Sequence, residues 1–306
     1  MRLKLGRPDL SAWSDRFAVP RATDASPLTV TFLGVATLLV DDGTTAMLTD
    51  GYFSRPGLLK VGLGRIAPDV ARIDRELAAA GVSQLAAVAP VHTHFDHVLD
   101  SAVVAERTGA TLVGGRSTAN VGRGAGLAED AVRIATPGEP LEFGPYTVTL
   151  VESHHCPPDR YPGEIAAPLR PPARASAYRC GEAWSTFVTH RPSGRRLLVQ
   201  GSAGFVPGAL RGYRAEVVYL GVGQLGLRPD AEIRQYWDET VRQVGAERVV
   251  LIHWDDFFRP LDQPLRALPY AGDDLDVTMR VLGELADADG VQLWFPTVRV
   301  REDAWA

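Results

Sequence analysis

The chain has 306 residues, 45% of them hydrophobic and 23% charged, with a formal net charge of -5. That balance supplies ample core and excludes global disorder, while the acidic charge and lack of a long basic run argue against nucleic acid as the main partner. The opening M-R-L-K-L-G-R-P-D-L offers no apolar leader and no segment approaches eighteen apolar residues, so a cytoplasmic protein with no membrane partner is expected.

After a stretch of mixed polarity, Thr29 to Leu33 and Ala36 to Val40 read as paired strands broken at Gly34. Asp41-Asp42-Gly43 supplies the turn into a third strand, Thr45 to Leu48. Tyr52 to Asp69 is rich in glycine and proline, with Arg55, Lys60 and Arg65 interspersed, and reads as a loop bordering a site. Ile73 to Ala80 is a short helix closed by Gly81. It leads into Ala86 to His97, A-A-V-A-P-V-H-T-H-F-D-H, a buried strand that ends in three histidines and an aspartate. His92 and His94 project from the same side of an extended segment and can share one ion. Asp96 and His97 follow where the chain turns toward a helix, within reach of a second position. Neutral imidazole and carboxylate are donors suited to zinc, or to manganese or iron in its place.

His92, His94, Asp96 and His97 match H-x-H-x-D-H without a gap, and through them the chain resembles the metallo-β-lactamase superfamily of metal-dependent hydrolases. The resemblance implies an α/β protein: one domain over 1–306, folded as a four-layer αββα sandwich and holding one or two zinc ions. It also implies a role for Asp50, at the end of the third strand, where many relatives read Thr-Asp-Pro and this chain has Thr49-Asp50-Gly51. There the carboxylate supports a metal-ligand histidine from behind, fixing its tautomer and orientation.

Beyond His97, Val98 to Arg107 has helical spacing and stops at Gly109, and Thr111 to Val113 resumes as a strand, an alternation typical of α/β architecture. Val132 to Ala135, Leu141 to Phe143 and Tyr146 to Val151 are further strands, the last running into Glu152-Ser153-His154-His155. Adjacent side chains of an extended chain point opposite ways, so the two histidines cannot both serve one ion. The superfamily's histidine commonly follows a few polar residues and opens a loop, which selects His155 to complete the site of His92 and His94. His154 is then left behind a ligand or exposed.

The segment 157–179 carries six prolines and four arginines and is the least family-like part of the chain. It reads as an insertion near the metals. Either its arginines, Arg160 and Arg174 among them, grip an anionic group of the substrate through forked hydrogen bonds, or it is a surface feature or a contact in a homo-oligomer. Cys156 and Cys180 form no C-x-x-C pair and are read as free thiols.

Trp184 to Thr189 and Arg196 to Gln200 form a hairpin around Arg191-Pro192-Ser193-Gly194, with His190 structural at its edge. In Gln200-Gly201-Ser202-Ala203-Gly204-Phe205, Ser202 stands where many relatives carry an aspartate that bridges two metals. A neutral hydroxyl does not offset the repulsion of two ions, so a second site would rest on Asp96, His97 and a later histidine, or only one ion would bind. Val217 to Leu220 is a strand, Ala231 to Val244 a helix, and Arg248 to Ile252 a strand carrying His253 into W-D-D-F. This resembles the last metal motif of the branch that includes ascorbate-6-phosphate lactonase and phospholipase-D-type relatives, and there His253 completes the second site. Asp274 to Ala288 is a closing helix, with Val291 to Phe295 and Thr297 to Val300 as edge strands.

The expected function is hydrolysis of an ester, lactone or phosphoester of a small-molecule substrate by a zinc-bound hydroxide. The ion of His92, His94 and His155 would polarise the electrophilic oxygen; that of Asp96, His97 and His253 would orient the nucleophile, with Asp96 also moving the proton. Ser202 motivates the rival expectation, a non-catalytic or single-metal binding protein of the same fold.

Overall fold

Apolar runs buried on both faces assemble, in the computed structural model describing residues 4–306, into two seven-stranded sheets. The first three residues of the segment read for a leader lie outside the described residues. In chain order the elements begin β1 (Thr29–Phe32), β2 (Leu38–Asp41), β3 (Ala46–Thr49), α1 (Leu58–Leu63), α2 (Val70–Ala79), β4 (Ala87–Ala89), α3 (Phe95–Val98) and α4 (Ser101–Thr108). There follow β5 (Thr111–Gly114), α5 (Arg116–Ala125), β6 (Val132–Ile134), β7 (Pro140–Phe143), β8 (Tyr146–Ser153), β9 (Ala183–His190) and β10 (Arg196–Gln200). The chain closes with β11 (Val217–Gly221), α6 (Asp230–Trp237), β12 (Arg248–Ile252), α7 (Leu275–Asp289), β13 (Gln292–Trp294) and β14 (Arg301–Glu302).

The sheet orders are β14-β1-β2-β3-β4-β5-β6 and β13-β12-β11-β10-β9-β8-β7. Each joins an antiparallel meander to a parallel half, β3 to β6 in one and β10 to β13 in the other. Parallel neighbours need crossovers, and these supply the helices. The strand period of two then sorts side chains into layers. Leu38, Val40, Met47, Ala87, Ala89 and Val113 face the second sheet in the main core, while Leu39, Leu48, Val88 and Leu112 face Ile73, Leu77, Ala102 and Ala105 of α2 and α4. The result is the expected αββα sandwich.

Several elements differ from the sequence reading. The helix expected over Val98 to Arg107 is α4, which begins at Ser101, and a separate turn, α3, precedes it at once after His94. Helix α1 lies within the stretch expected as a loop, and α5 was not anticipated, because its Gly122 and Gly124 are poor helix formers. Gly124 is needed by contact: a Cβ there would lie 1.9 Å from the Leu169 carbonyl oxygen. The helix expected over Ala231 to Val244 keeps α-helical bonding to Trp237 and widens to a π-turn over Asp238–Arg242. Thr297 to Val300 is not the edge strand. Val300 N–H closes a turn on the Thr297 carbonyl and Arg299 adopts a φ of 61°, so pairing with β1 falls to β14.

Strands β3, β4, β8, β10 and β12 all leave their sheets toward the same end of the sandwich, following the strand directions. Asp50, the 92–97 segment, His155, Ser202 and His253 all follow those strand ends, the usual location of sites in open α/β sheets.

Candidate metal centre

Strand β4 stops at Ala89, and Pro90 to His94 continue in irregular conformation before α3 starts. His94 is the N-cap of α3, so Asp96 and His97 sit in its first turn, and all four side chains are buried. His92 Nε2 and His94 Nδ1 converge to 3.2 Å. The ring of His155 joins them, its centroid 4.9 Å from His92 and 4.6 Å from His94. Its Nδ1 lies 2.7 Å from the Cys156 carbonyl and can only donate to it, leaving Nε2 bare. Of the adjacent pair, then, His155 turns inward and His154 is exposed.

A second group forms beside the first. Asp96 Oδ2 lies 3.7 Å from His97 Nε2 and 3.4 Å from His253 Nε2. His253 reaches it from a left-handed backbone, φ 59°, with its N–H donating to the Val35 carbonyl at 2.7 Å. Val35 is itself left-handed, φ 53°, which for a β-branched residue is a strained conformation that its surroundings must enforce. His97 is set from behind. Asp50, also left-handed, places Oδ2 2.7 Å from His97 Nδ1, while its Oδ1 accepts the Val91 N–H at 2.9 Å.

Burial and the neighbouring charges set the protonation of these groups. Burial, reinforced by neighbouring imidazoles, holds the His92 pKa well below its ordinary value and pushes His155 down to about 4. Burial also lowers that of His94, against the pull of Asp96 and Asp159. These three rings are therefore neutral and present lone pairs. Burial opposes ionisation of Asp96, yet the surrounding histidines hold its carboxyl well below the usual range. For His97, Asp50 and Asp96 outweigh burial and raise the pKa. His97 Nε2 is buried with no hydrogen-bond partner although Nδ1 is held by Asp50. An unsatisfied buried polar atom is costly, and a divalent ion bound by Nε2 with Asp96 and His253 removes that cost. The donor set is one that zinc, manganese or iron accepts. Asp50→Ala frees the His97 ring, and the expected loss is about 10–100-fold in affinity for an ion at this position, measured by calorimetric titration; unchanged affinity would show that Asp50 only braces Val91.

Around the two groups, His154 lines the adjoining cavity and Ser202 stands behind His155. Ser202 does not extend a free hydroxyl: its Oγ accepts the Cys156 N–H at 2.9 Å, bracing the loop that carries His155. Arg160 and Arg174 are exposed, and neither lines the cavity of about 500 Å³ next to His155. Asp159 lies next to His94, whereas its neighbour Arg160 stays in solvent, and Arg174 precedes a 3-10 turn near the Ile66–Ala173 bridge. The basic residue lining the cavity is Arg228.

Three residues unforeseen from the sequence support the centre. Asp159 Oδ1 lies 3.1 Å from His94 Nε2, and with His94 and Cys180 it forms a further compact group of potential ligand atoms. Beneath His253, Arg55 is buried with Asp255, to which its Nη2 donates, and Asp255 Oδ1 accepts the Val35 N–H at 2.8 Å. Gly34 makes room for this pair, since a Cβ there would lie 2.2 Å from Arg55 Nη1. The sequence signals were the W-D-D-F run, which places two carboxylates after a ligand-type histidine, and the position of Arg55 in a stretch read as bordering a site.

No family model matches the chain, and no curated protein is similar to it in sequence. Solved structures are similar in fold. Igni18, a metallo hydrolase from the hyperthermophilic archaeon Ignicoccus hospitalis, superposes with a TM-score of 0.53 at 15% identity, over 89% of this chain and 96% of that one. The metallo-β-lactamase fold protein YhfI from Bacillus subtilis gives 0.50 at 14%, over 89% and 97%. CmlA, a diiron β-hydroxylase from Streptomyces venezuelae, gives 0.53 at 12%, over 92% of this chain and 54% of its own. At these identities the likeness is one of architecture: the chain has the metallo-β-lactamase fold.

Proposed function

We propose that the chain is a metal-dependent hydrolase holding two divalent ions, zinc foremost, and opening an ester, lactone or phosphoester of a small molecule. The observation that carries this reading is the convergence of two three-residue groups, His92, His94, His155 and Asp96, His97, His253, each with its ligand atoms within 4.8 Å of one another. An ion bound there supplies Lewis acidity and lowers the pKa of coordinated water to about 7. The chain prepares both positions. The Cys156 carbonyl and Asp50 keep protons on Nδ1 of His155 and His97, so that each ring offers Nε2. Asp96 brings the negative charge that two cations require.

The cavity next to His155 receives the substrate. Pro157, Phe205 and Leu225 give it apolar walls, and Arg228 there is already engaged by Glu232, at 2.8 Å from Nε. With Asp159 as a further carboxylate in the lining, this cavity suits a neutral acyl or lactone group better than the anionic one expected from the arginine-rich insertion. The lactone is retained as a substrate class because His253-Trp254-Asp255-Asp256-Phe257 resembles the lactonase branch.

Purified protein is expected to contain between one and two equivalents of zinc or a similar ion, the second being the more easily chelated because Ser202 supplies no bridging carboxylate. Elemental analysis before and after chelator, with hydrolysis of a panel of chromogenic esters, lactones and phosphodiesters, is the test. Absence of any bound transition metal would overturn the reading. A single tight equivalent, with the Ser202 hydroxyl held by Cys156 as seen here, would favour the one-ion alternative.

A further inference from the structure

Helix α1 turns three leucines outward: Leu58, Leu59 and Leu63 are 61%, 78% and 81% exposed, and Lys60 beside them is exposed as well. Val61 anchors the helix in the cluster of Tyr52, Ile66 and Ala173, where Phe257 and Phe258 also pack. The backbones of Ile66 and Ala173 then bond both ways, at 2.7 and 3.0 Å, and Arg65 Nη1 reaches the Pro172 carbonyl. This pairing sets the leucines next to a depression of about 510 Å³ lined by Arg65, Arg170, Arg174 and Arg179, with Glu164 as its carboxylate. Arg65 and Arg179 donate to backbone carbonyls, which leave their charge uncompensated.

Bare leucines and five adjacent cations on an otherwise acidic chain call for a partner that is both negatively charged and apolar beneath its charge. We propose that this face docks on an anionic lipid surface, the α1 leucines entering the acyl boundary while Lys60 and the four arginines meet headgroups. Nucleic acid would satisfy the arginines and leave the leucines in water. A second copy would set cations against cations, and a six-residue helix covers far less than the ~800 Å² per partner that a stable dimer buries. Such a contact lies in the plane of the interface and needs no spanning segment; among the described residues no helix is long and apolar enough to cross a membrane. The docked face adjoins the metal centre, because Phe257 of the α1 cluster packs edge-on against His253 with centroids 5.8 Å apart.

The test is co-sedimentation of the full chain with vesicles of phosphatidylcholine alone or mixed with phosphatidylglycerol, at low and high salt. It is repeated with the triple variant Leu58→Ser, Leu59→Ser, Leu63→Ser and with Arg170→Glu, Arg174→Glu. All five positions are exposed, so circular dichroism and melting should match the parent. Binding is expected on the anionic vesicles only, to be lost at high salt, and to fall about tenfold or more in each variant. No sedimentation with anionic vesicles overturns the proposal, as does binding that both variants retain. A concentration-dependent dimer that the leucine variant abolishes, without vesicle binding in the parent, would assign the face to a second copy instead.

Discussion

Asp255→Ala is expected to destabilise the fold by about 3–5 kcal/mol, the cost of leaving a buried charge without its partner. Arg55 is 1% exposed and has two nitrogens, Nε and Nη1, with no hydrogen-bond partner; its Nη2 is held by Asp255 and by the Asp256 carbonyl at 3.0 Å. Removing the carboxylate strands the guanidinium and also frees the Val35 N–H, so the strained Val35 and His253 backbones lose their clamp together. The double variant Arg55→Met, Asp255→Ala removes both charges and should recover much of the loss, since an apolar replacement of a buried pair is often near neutral. Denaturant melts of parent, single and double variants measure the cycle. If the single variant loses under 1 kcal/mol, water or a rearranged side chain compensates Arg55, and the pair does not hold His253 in place.

How far the site was legible follows from where its residues lie along the chain. His92, His94, Asp96 and His97 were readable because one strand end and one helical turn place them within six residues, so local geometry fixes their relation. Asp50 and His253 were readable through the resemblance, which also implied the two sheets, while the apolar runs marked individual strands. Asp159, Arg55 and Asp255 depend on contacts between segments far apart in sequence. Asp159 sits among prolines that carry no periodicity, and its approach to His94 exists only once the insertion folds across the strand ends. The insertion's arginines misled for a related reason: composition gave the segment a positive charge but not a direction. Four of its charges face the depression or open solvent, and an acidic residue faces the histidines. Ser202 was legible as a missing carboxylate, whereas its bond to Cys156 N–H was not, because a hydroxyl between two strand-end loops has no sequence signature.

His155→Ala should lower affinity for the first ion by more than roughly 100-fold and abolish hydrolysis, while His154→Ala should leave the ion affinity within about threefold of the parent. The asymmetry is structural. His155 closes the triangle with His92 and His94 and has its Nδ1 committed to the Cys156 carbonyl, whereas His154, one residue earlier on an extended chain, is exposed and lines the adjoining cavity instead. Losing a ligand exceeds the 10–100-fold effect of losing an outer partner, because the ion is left with two imidazoles where three neutral donors had been gathered. Removing the His155 ring should not unfold the chain: the ring is only half-buried, and the backbone of its loop stays held by the Ser202 hydroxyl through Cys156 N–H. Calorimetric titration of each apo variant with zinc, paired with thermal melts, separates lost binding from lost fold. If His154→Ala were the variant to lose the ion, the loop from Ser153 to Cys156 would have to turn over when metal binds, exchanging the two rings. The Ser202 hydroxyl would then release Cys156 and become free to face the metals.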